Sequence, residues 1–168
     1  MRNCLFFFIF ITTSCGKDEF FGDWNKTFNS GSYPEVVNQE EPIAVLKEIL
    51  QSFEKDCKDI YNVDLSNLSK LQFIRYGDPA TKEKPSTVGI CNTWYEDDLL
   101  IKSNIIVKDL KSPILNKALL YHELGHCVLE LDHTSQESKT IMSPTMLNVS
   151  HYSNNWDKLV KDLCLRYR

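Results

Sequence analysis

The chain has 168 residues, of which 25% are charged and 42% hydrophobic, and its formal net charge at pH 7 is −4. Acidic and basic residues are mixed along the chain, so no basic surface for nucleic acid is expected. A chain of this length can bury a real hydrophobic core, and we predict one folded domain that acts as a monomer.

Residues 1–15 predict an export signal. They contain one positive charge, a short apolar run and small residues before Cys15. The run is too short to cross a bilayer, which needs about 20 apolar residues, and an ordinary cleaved signal is one interpretation. The ending Thr13-Ser14-Cys15 resembles a bacterial lipobox, which implies a lipoprotein signal peptide with Cys15 as the lipidated first residue of the mature chain.

The segment that follows predicts a surface tether. Lys17-Asp18-Glu19 resembles the tag by which some Gram-negative lipoproteins reach the outer cell surface. We therefore expect an outer-membrane lipoprotein of the bacterial cell envelope, with surface exposure favoured by the tag and membrane contact through the lipid alone. Residues 16–41 are rich in Gly, Asn, Ser and acidic residues and predict the tether. A propeptide that covers the functional site is an alternative for this segment, and residues 42–168 predict the folded domain.

The first elements of the domain are a helix and a small sheet. Apolar residues recur at three- and four-residue spacing from Pro42 to Tyr61, which predicts a long amphipathic helix with Pro42 in its first turn. Apolar alternation and β-forming residues then predict strands at 68–76, 88–95 and 98–107. These strands suggest a small sheet.

Two more helices complete the domain. Ser112 suits an N-cap and Pro113 a first helical turn, so a helix is predicted at 114–131. A polar loop follows this helix, and a final helix is expected from Ser153.

The helix predicted at 114–131 carries the residues that indicate chemistry. His122 and His126 are four residues apart, so their rings lie on one face of a helix and can bind one metal ion together. His133 follows where the helix should end, and a reversal of the chain would bring its ring to the same ion. Three histidines with one open position are typical of a catalytic zinc site. Glu123 would sit beside the metal, where its carboxylate can take a proton from water.

The stretch His122-Glu123-Leu124-Gly125-His126 resembles the active-site helix of metzincin metallopeptidases, and of their matrixin-like members in particular. Downstream of His133, Ile141-Met142-Ser143-Pro144 resembles the Met-turn of the family, a tight turn whose methionine underlies the metal. Two motifs in the family's order are a more specific signal than either motif alone.

The chain departs from the family pattern after His126. The pattern has a glycine three residues after the second histidine and the third ligand three residues later, but these positions hold Leu129 and Asp132, and His133 is one residue late. Either the turn contains one extra residue, or Asp132 is the third ligand, as it is in some family relatives. We prefer His133, because imidazole suits zinc and the Asp132 carboxylate can instead support a ligand through a hydrogen bond.

Through its order of helices and strands, the resemblance implies an α+β fold, a small zincin-like domain with an N-terminal helix, a short twisted sheet, the metal-binding helix, the Met-turn and a C-terminal helix. It also implies a secreted endopeptidase that uses Zn²⁺, with Glu123 as general base, to hydrolyse a peptide or protein substrate. In the family an edge strand binds the substrate in extended form, and Gly89 to Trp94 is the candidate for that edge.

Two other functions remain compatible with the motif. A surface lipoprotein on this scaffold could hold a metal ion or another protein without turnover. An enzyme could also act on an amide that is not a peptide. Glu123 favours an enzyme over a metal store, because a store needs no base next to its first ligand.

The cysteines indicate an oxidising compartment. Cys4 lies in the signal and Cys15 is assigned to the lipid, which leaves four of the six cysteines in an exported domain. Three pairings are possible, and four buried thiols are an alternative. We prefer Cys91 with Cys127, which would tie a strand to the metal helix, and Cys57 with Cys164, which would tie two flanking helices.

Overall fold

The computed structural model describes residues 40–82 and 84–166. The predicted signal peptide at 1–15, the lipid site at Cys15 and the tether up to residue 39 therefore lie outside the described residues. Within the described ranges, none of the helices has the length and apolar character needed to cross a membrane.

The described chain has a mixed α+β architecture of helices and one small sheet, in the order predicted. Its elements are helix α1 (Glu40–Glu54), a π-helical turn (Lys55–Ile60), a 3₁₀ segment (Ser66–Lys70), strands β1 (Leu71–Tyr76), β2 (Gly89–Glu96) and β3 (Leu99–Val107), and helices α2 (Pro113–Cys127) and α3 (Val149–Leu165).

The sheet has three strands in the order β1, β3, β2. Strand β3 is central, and it pairs in parallel with β1 and antiparallel with β2. Strand β2, which contains the predicted substrate-binding stretch, is therefore an edge of the sheet. Helix α2 packs against β2 and β3, so the metal-binding motif lies next to this edge.

Strand β1 is shorter than predicted, because residues 66–70 form a 3₁₀ segment instead of extended chain. The Ser66 backbone N–H donates to Asp64 Oδ1 at 2.9 Å, and Ser69 Oγ donates to the Ser66 carbonyl at 2.7 Å. Short polar side chains that bond to nearby backbone favour a turn over a strand.

Helix α2 begins where predicted, but its cap differs from the prediction. Ser112 occupies the N-cap position, yet its side chain makes no capping hydrogen bond. Asn116 holds the entry to the helix instead, since its Oδ1 accepts the Leu110 backbone N–H at 2.8 Å and its Nδ2 donates to Asp109 Oδ1 at 2.9 Å.

The end of α2 and the start of α3 also differ from the prediction. Helix α2 ends at Cys127, four residues before the predicted Leu131. Helix α3 begins at Val149, earlier than the predicted Ser153, because Asn148 Oδ1 accepts the His151 backbone N–H at 2.8 Å. Asparagine is a strong N-cap residue, and it sets the start of α3.

Helix α2 is buried on almost all sides, which explains why its apolar residues do not form a single stripe. Tyr121 packs helix α2 against the other two helices. Its ring lies edge-on to Phe53 of α1 and Trp156 of α3, with centroid distances of 5.3 and 5.0 Å. Its hydroxyl donates to Asp56 Oδ2 at 2.6 Å, so the buried polar atom is satisfied. The helix that carries the histidines is thus fixed to α1 and α3 as well as to the sheet.

Two disulfides connect the elements, Cys57 with Cys164 and Cys91 with Cys127. This is the pairing preferred from the sequence. The first bridge joins the π-helical turn after α1 to α3, and the second joins edge strand β2 to the last residue of α2.

Replacing Cys57 and Cys164 together by Ala should lower the free energy of unfolding by about 2–5 kcal/mol, because the bridge spans 107 residues and restricts the unfolded chain. Replacing Cys91 and Cys127, which are 36 residues apart, should cost about 1 kcal/mol less for the shorter loop. Urea unfolding of the metal-free proteins measures both losses. A larger loss from the shorter bridge would contradict this expectation.

Candidate metal centre

The structure brings His122, His126 and His133 together. The Nε2 atoms of His122 and His126 are 3.2 Å apart, and His133 Nε2 lies 3.0 Å from His126 Nε2 and 3.1 Å from His122 Nε2. The first two histidines come from one face of α2, and the third comes from the loop after it. Within residues 40–82 and 84–166, these three side chains form the one group whose donor atoms converge as metal ligands would.

In two of the three histidines, a hydrogen bond to a backbone carbonyl determines which ring nitrogen is free to bind a metal ion. His122 Nδ1 lies 2.7 Å from the Ile141 carbonyl oxygen, and His126 Nδ1 lies 2.6 Å from the Leu131 carbonyl oxygen. A carbonyl oxygen only accepts, so in both rings Nδ1 carries the hydrogen and Nε2 presents its lone pair to the cluster. This second layer of bonds is typical of metal-binding histidines.

Burial favours the uncharged form of His122 and His133. The pKa of His122 is lowered to about 3, by burial first and by the neighbouring His126 and His133, while the bond to the Ile141 carbonyl opposes the shift. Burial also lowers the pKa of His133, against the raising effect of Asp132. Neutral imidazole is the form that binds a metal ion.

The spacing of the three nitrogen atoms fits one metal ion bound between them. A tetrahedral site with metal to nitrogen distances of about 2.0–2.1 Å separates its nitrogen atoms by about 3.3 Å. The observed separations of 3.0 to 3.2 Å are close to this value. The facing Nε2 lone pairs of His122 and His126 repel each other at this distance unless a cation lies between them, so a metal ion would relieve this repulsion.

The late position of His133 is explained by a wide turn at the end of α2. The Leu124 carbonyl accepts the Leu129 N–H at 3.3 Å, and the Gly125 carbonyl accepts the Leu131 N–H at 3.0 Å. These bonds span five and six residues, whereas α-helical bonds span four. The turn therefore contains the extra residue that was one of the two sequence interpretations, and Asp132 is not among the three converging side chains.

Glu123 lies in the contact between α2 and β2. Its side chain is buried, and its carboxylate accepts the Cys91 backbone N–H, which lowers its pKa. Burial has the larger opposite effect and raises the pKa of Glu123 to about 8. Burial therefore favours the neutral form of Glu123, and a cation beside it would favour the carboxylate form that can take a proton.

Gly89 makes room for this carboxylate. A Cβ atom at position 89 would overlap Glu123 Oε1 and would lie 2.8 Å from Leu119 Cδ1. Only glycine lets strand β2 approach the helix this closely. The sequence predicts Gly89 only as the start of a substrate-binding edge; its contact with Glu123 is not predicted, although a glycine inside a strand is a signal for such a close approach.

Met142 packs against helix α2 at Gly125. Its side chain is almost fully buried, and a Cβ atom on Gly125 would overlap its Sδ. The turn also bonds to two ligand segments, since the Ile141 carbonyl accepts from His122 and the Met142 carbonyl accepts the Thr134 N–H at 2.9 Å. The turn therefore orients the first ligand and holds the residue next to the third.

No family model, curated protein or solved structure matches this chain.

Replacing His133 by Ala should weaken zinc binding more than about 100-fold, because loss of a ligand should exceed the 10- to 100-fold cost of losing a supporting bond. Replacing Asp132 by Ala should weaken it by about 10-fold or less. Titration of the metal-free proteins with Zn²⁺ against a competing chelator measures both affinities. A greater loss from Asp132→Ala would reverse the assignment of the third ligand.

Gly89→Ala should lower the free energy of unfolding by about 1–3 kcal/mol, the usual cost of overpacking. The cost should become smaller when Glu123→Ala is also present, because the carboxylate that Cβ meets is then gone. Urea unfolding of the two single variants and the double variant gives the coupling. Additive losses would show that Gly89 and Glu123 do not compete for the same space.

Proposed function

We propose that the chain is a zinc-dependent endopeptidase of the metzincin type, exported and anchored by a lipid at Cys15. The observation that carries the proposal is the convergence of His122, His126 and His133 through their Nε2 atoms, beside a buried Glu123. Three protein ligands leave one coordination position open, which is the difference between a catalytic and a structural zinc site.

The choice of zinc rests on the donor set. Neutral imidazole nitrogen suits zinc, copper, iron and nickel, whereas magnesium and calcium prefer oxygen ligands. The near-tetrahedral spacing favours zinc within this group. The described cysteines near the site are joined in a disulfide, so their sulfur atoms do not compete for the ion.

The architecture supports the metzincin interpretation. The described elements follow the implied order of N-terminal helix, small sheet, metal-binding helix, methionine turn and C-terminal helix. Within residues 40–82 and 84–166, strand β2 pairs with β3 on one side only, so the part of its other side that does not bond to Glu123 can accept an extended peptide as an added strand. The Cys91–Cys127 bridge holds this edge beside the metal helix.

The proposed reaction is hydrolysis of a peptide bond. A bound zinc ion would supply Lewis acidity, which acidifies water and polarises the scissile carbonyl. Glu123 would accept the proton of the attacking water at a carboxylate oxygen while the new carbon–oxygen bond forms. Glu123 would then return that proton to the nitrogen as the carbon–nitrogen bond breaks. One water molecule is consumed, and no covalent intermediate with the enzyme forms.

The disulfides support export. Structural disulfides persist in oxidising compartments such as the bacterial periplasm and the cell surface, and the domain contains two. We propose an outer-membrane lipoprotein exposed at the cell surface, which acts as a monomer on peptide or protein substrates and touches the membrane only through its lipid.

Glu123→Gln should keep zinc and lose peptidase activity by about 10²–10⁴-fold, because the amide preserves the shape of the side chain and cannot take a proton. Cleavage of casein and of a peptide library, with zinc content measured on the same samples, tests this. Glu137→Gln, at an exposed glutamate in the loop after His133, is the matched control and should keep full activity.

Cleavage by Glu123→Gln at the unmodified rate would contradict the assignment of the base. Zinc binding by the unmodified protein, without proteolysis that a chelator abolishes, would instead favour the alternative of a lipoprotein that holds metal or a partner without turnover.

A further inference from the structure

The wide turn after α2 has an unusual residue at its centre. Glu130 has a φ angle of 52°, in the left-handed region that glycine adopts most easily. It lies between Leu129 and Leu131, whose N–H groups form the long bonds back to α2. A glutamate at this point therefore requires contacts that compensate for its backbone conformation.

The side chain of Glu130 makes those contacts. Its Oε1 accepts from the Tyr95 hydroxyl at 3.1 Å, and its Oε2 accepts from Asn67 Nδ2 at 3.4 Å. Asn67 Nδ2 also donates to the Val128 carbonyl at 3.2 Å. The carboxylate thus ties the turn to edge strand β2 on one side and to the 3₁₀ segment on the other.

The turn held in this way determines the positions of two candidate ligands. The carbonyl of Leu131, the next residue, accepts from His126 Nδ1 and so sets the tautomer of that ring. His133 follows two residues later, and its Nε2 completes the cluster. A change in the backbone at Glu130 would move both the acceptor for one ligand and the ring of another.

We propose that Glu130 is a positioning residue for the metal centre: its carboxylate, bound by Tyr95 and Asn67, holds the reversed chain in the conformation that aligns His126 and His133. This inference rests on the proposed function, and it concerns metal affinity, which can be measured without a substrate. It also explains how the chain tolerates one extra residue between the second and third ligands.

The test measures zinc affinity in a set of matched variants. Glu130→Ala and Tyr95→Phe should each weaken binding of Zn²⁺ about 3- to 10-fold. Both changes remove the same hydrogen bond. The Zn²⁺ affinity of the double variant should therefore lie within about 2-fold of the affinity of the single variant that binds less tightly. Glu130→Gln keeps an acceptor for the Tyr95 hydroxyl but turns an amide NH2 group toward Asn67 Nδ2, so it should weaken binding less than Glu130→Ala does.

A control and a second measurement separate positioning from loss of folding. Glu137→Ala removes an exposed carboxylate from the loop that follows His133 and should leave affinity unchanged. The visible absorption spectrum of bound Co²⁺ should change in Glu130→Ala and Tyr95→Phe but not in Glu137→Ala, since it reports ligand geometry.

Unchanged zinc affinity in Glu130→Ala and Tyr95→Phe, or additive losses in the double variant, would overturn the positioning role and leave the proposed function intact. Failure of the unmodified protein to bind Zn²⁺ would contradict the proposed function itself, and the inference with it.

Discussion

The structure depends on three imidazole Nε2 atoms that face one another at 3.0 to 3.2 Å. The Nδ1 hydrogens of His122 and His126 are donated to backbone carbonyls, so the Nε2 lone pairs of these two rings face each other and repel. The surrounding fold must therefore hold the rings in place. A cation at their centre converts the repulsion into binding energy, and preorganised ligands lose little entropy when it binds.

Several parts of the molecule supply the required rigidity. Helix α2 is packed on the sheet, fixed from behind by Tyr121 and joined to β2 through Cys127. Met142 packs against Gly125 of helix α2, and the carbonyl of Ile141 orients the ring of His122. Glu123 is buried against Gly89 and Cys91, where an unpaired carboxylate would be costly in the absence of a neighbouring cation. Together these contacts fix the histidines and Glu123 beside strand β2, at the edge of the sheet.

Part of this arrangement could be predicted from the local pattern of the sequence. The spacing of His122 and His126 and the order of helices and strands follow from periodicity along the chain, whereas the Cys91–Cys127 bridge was a preference among three possible pairings. The end of α2, the late arrival of His133 and the approach of Glu123 to Gly89 depend instead on contacts between segments far apart in sequence. Tyr95 and Asn67, for example, meet Glu130 only in the folded chain, so the sequence could suggest an extra residue in the turn but not the contacts that hold the turn.

X-ray absorption spectroscopy of the zinc-loaded protein tests the central claim most directly, because it counts and identifies the atoms around the metal without a substrate. The account predicts three imidazole nitrogen ligands at about 2.0–2.1 Å and one further light atom from solvent. A shell with sulfur at about 2.3 Å, or one with fewer than three imidazoles, would contradict it.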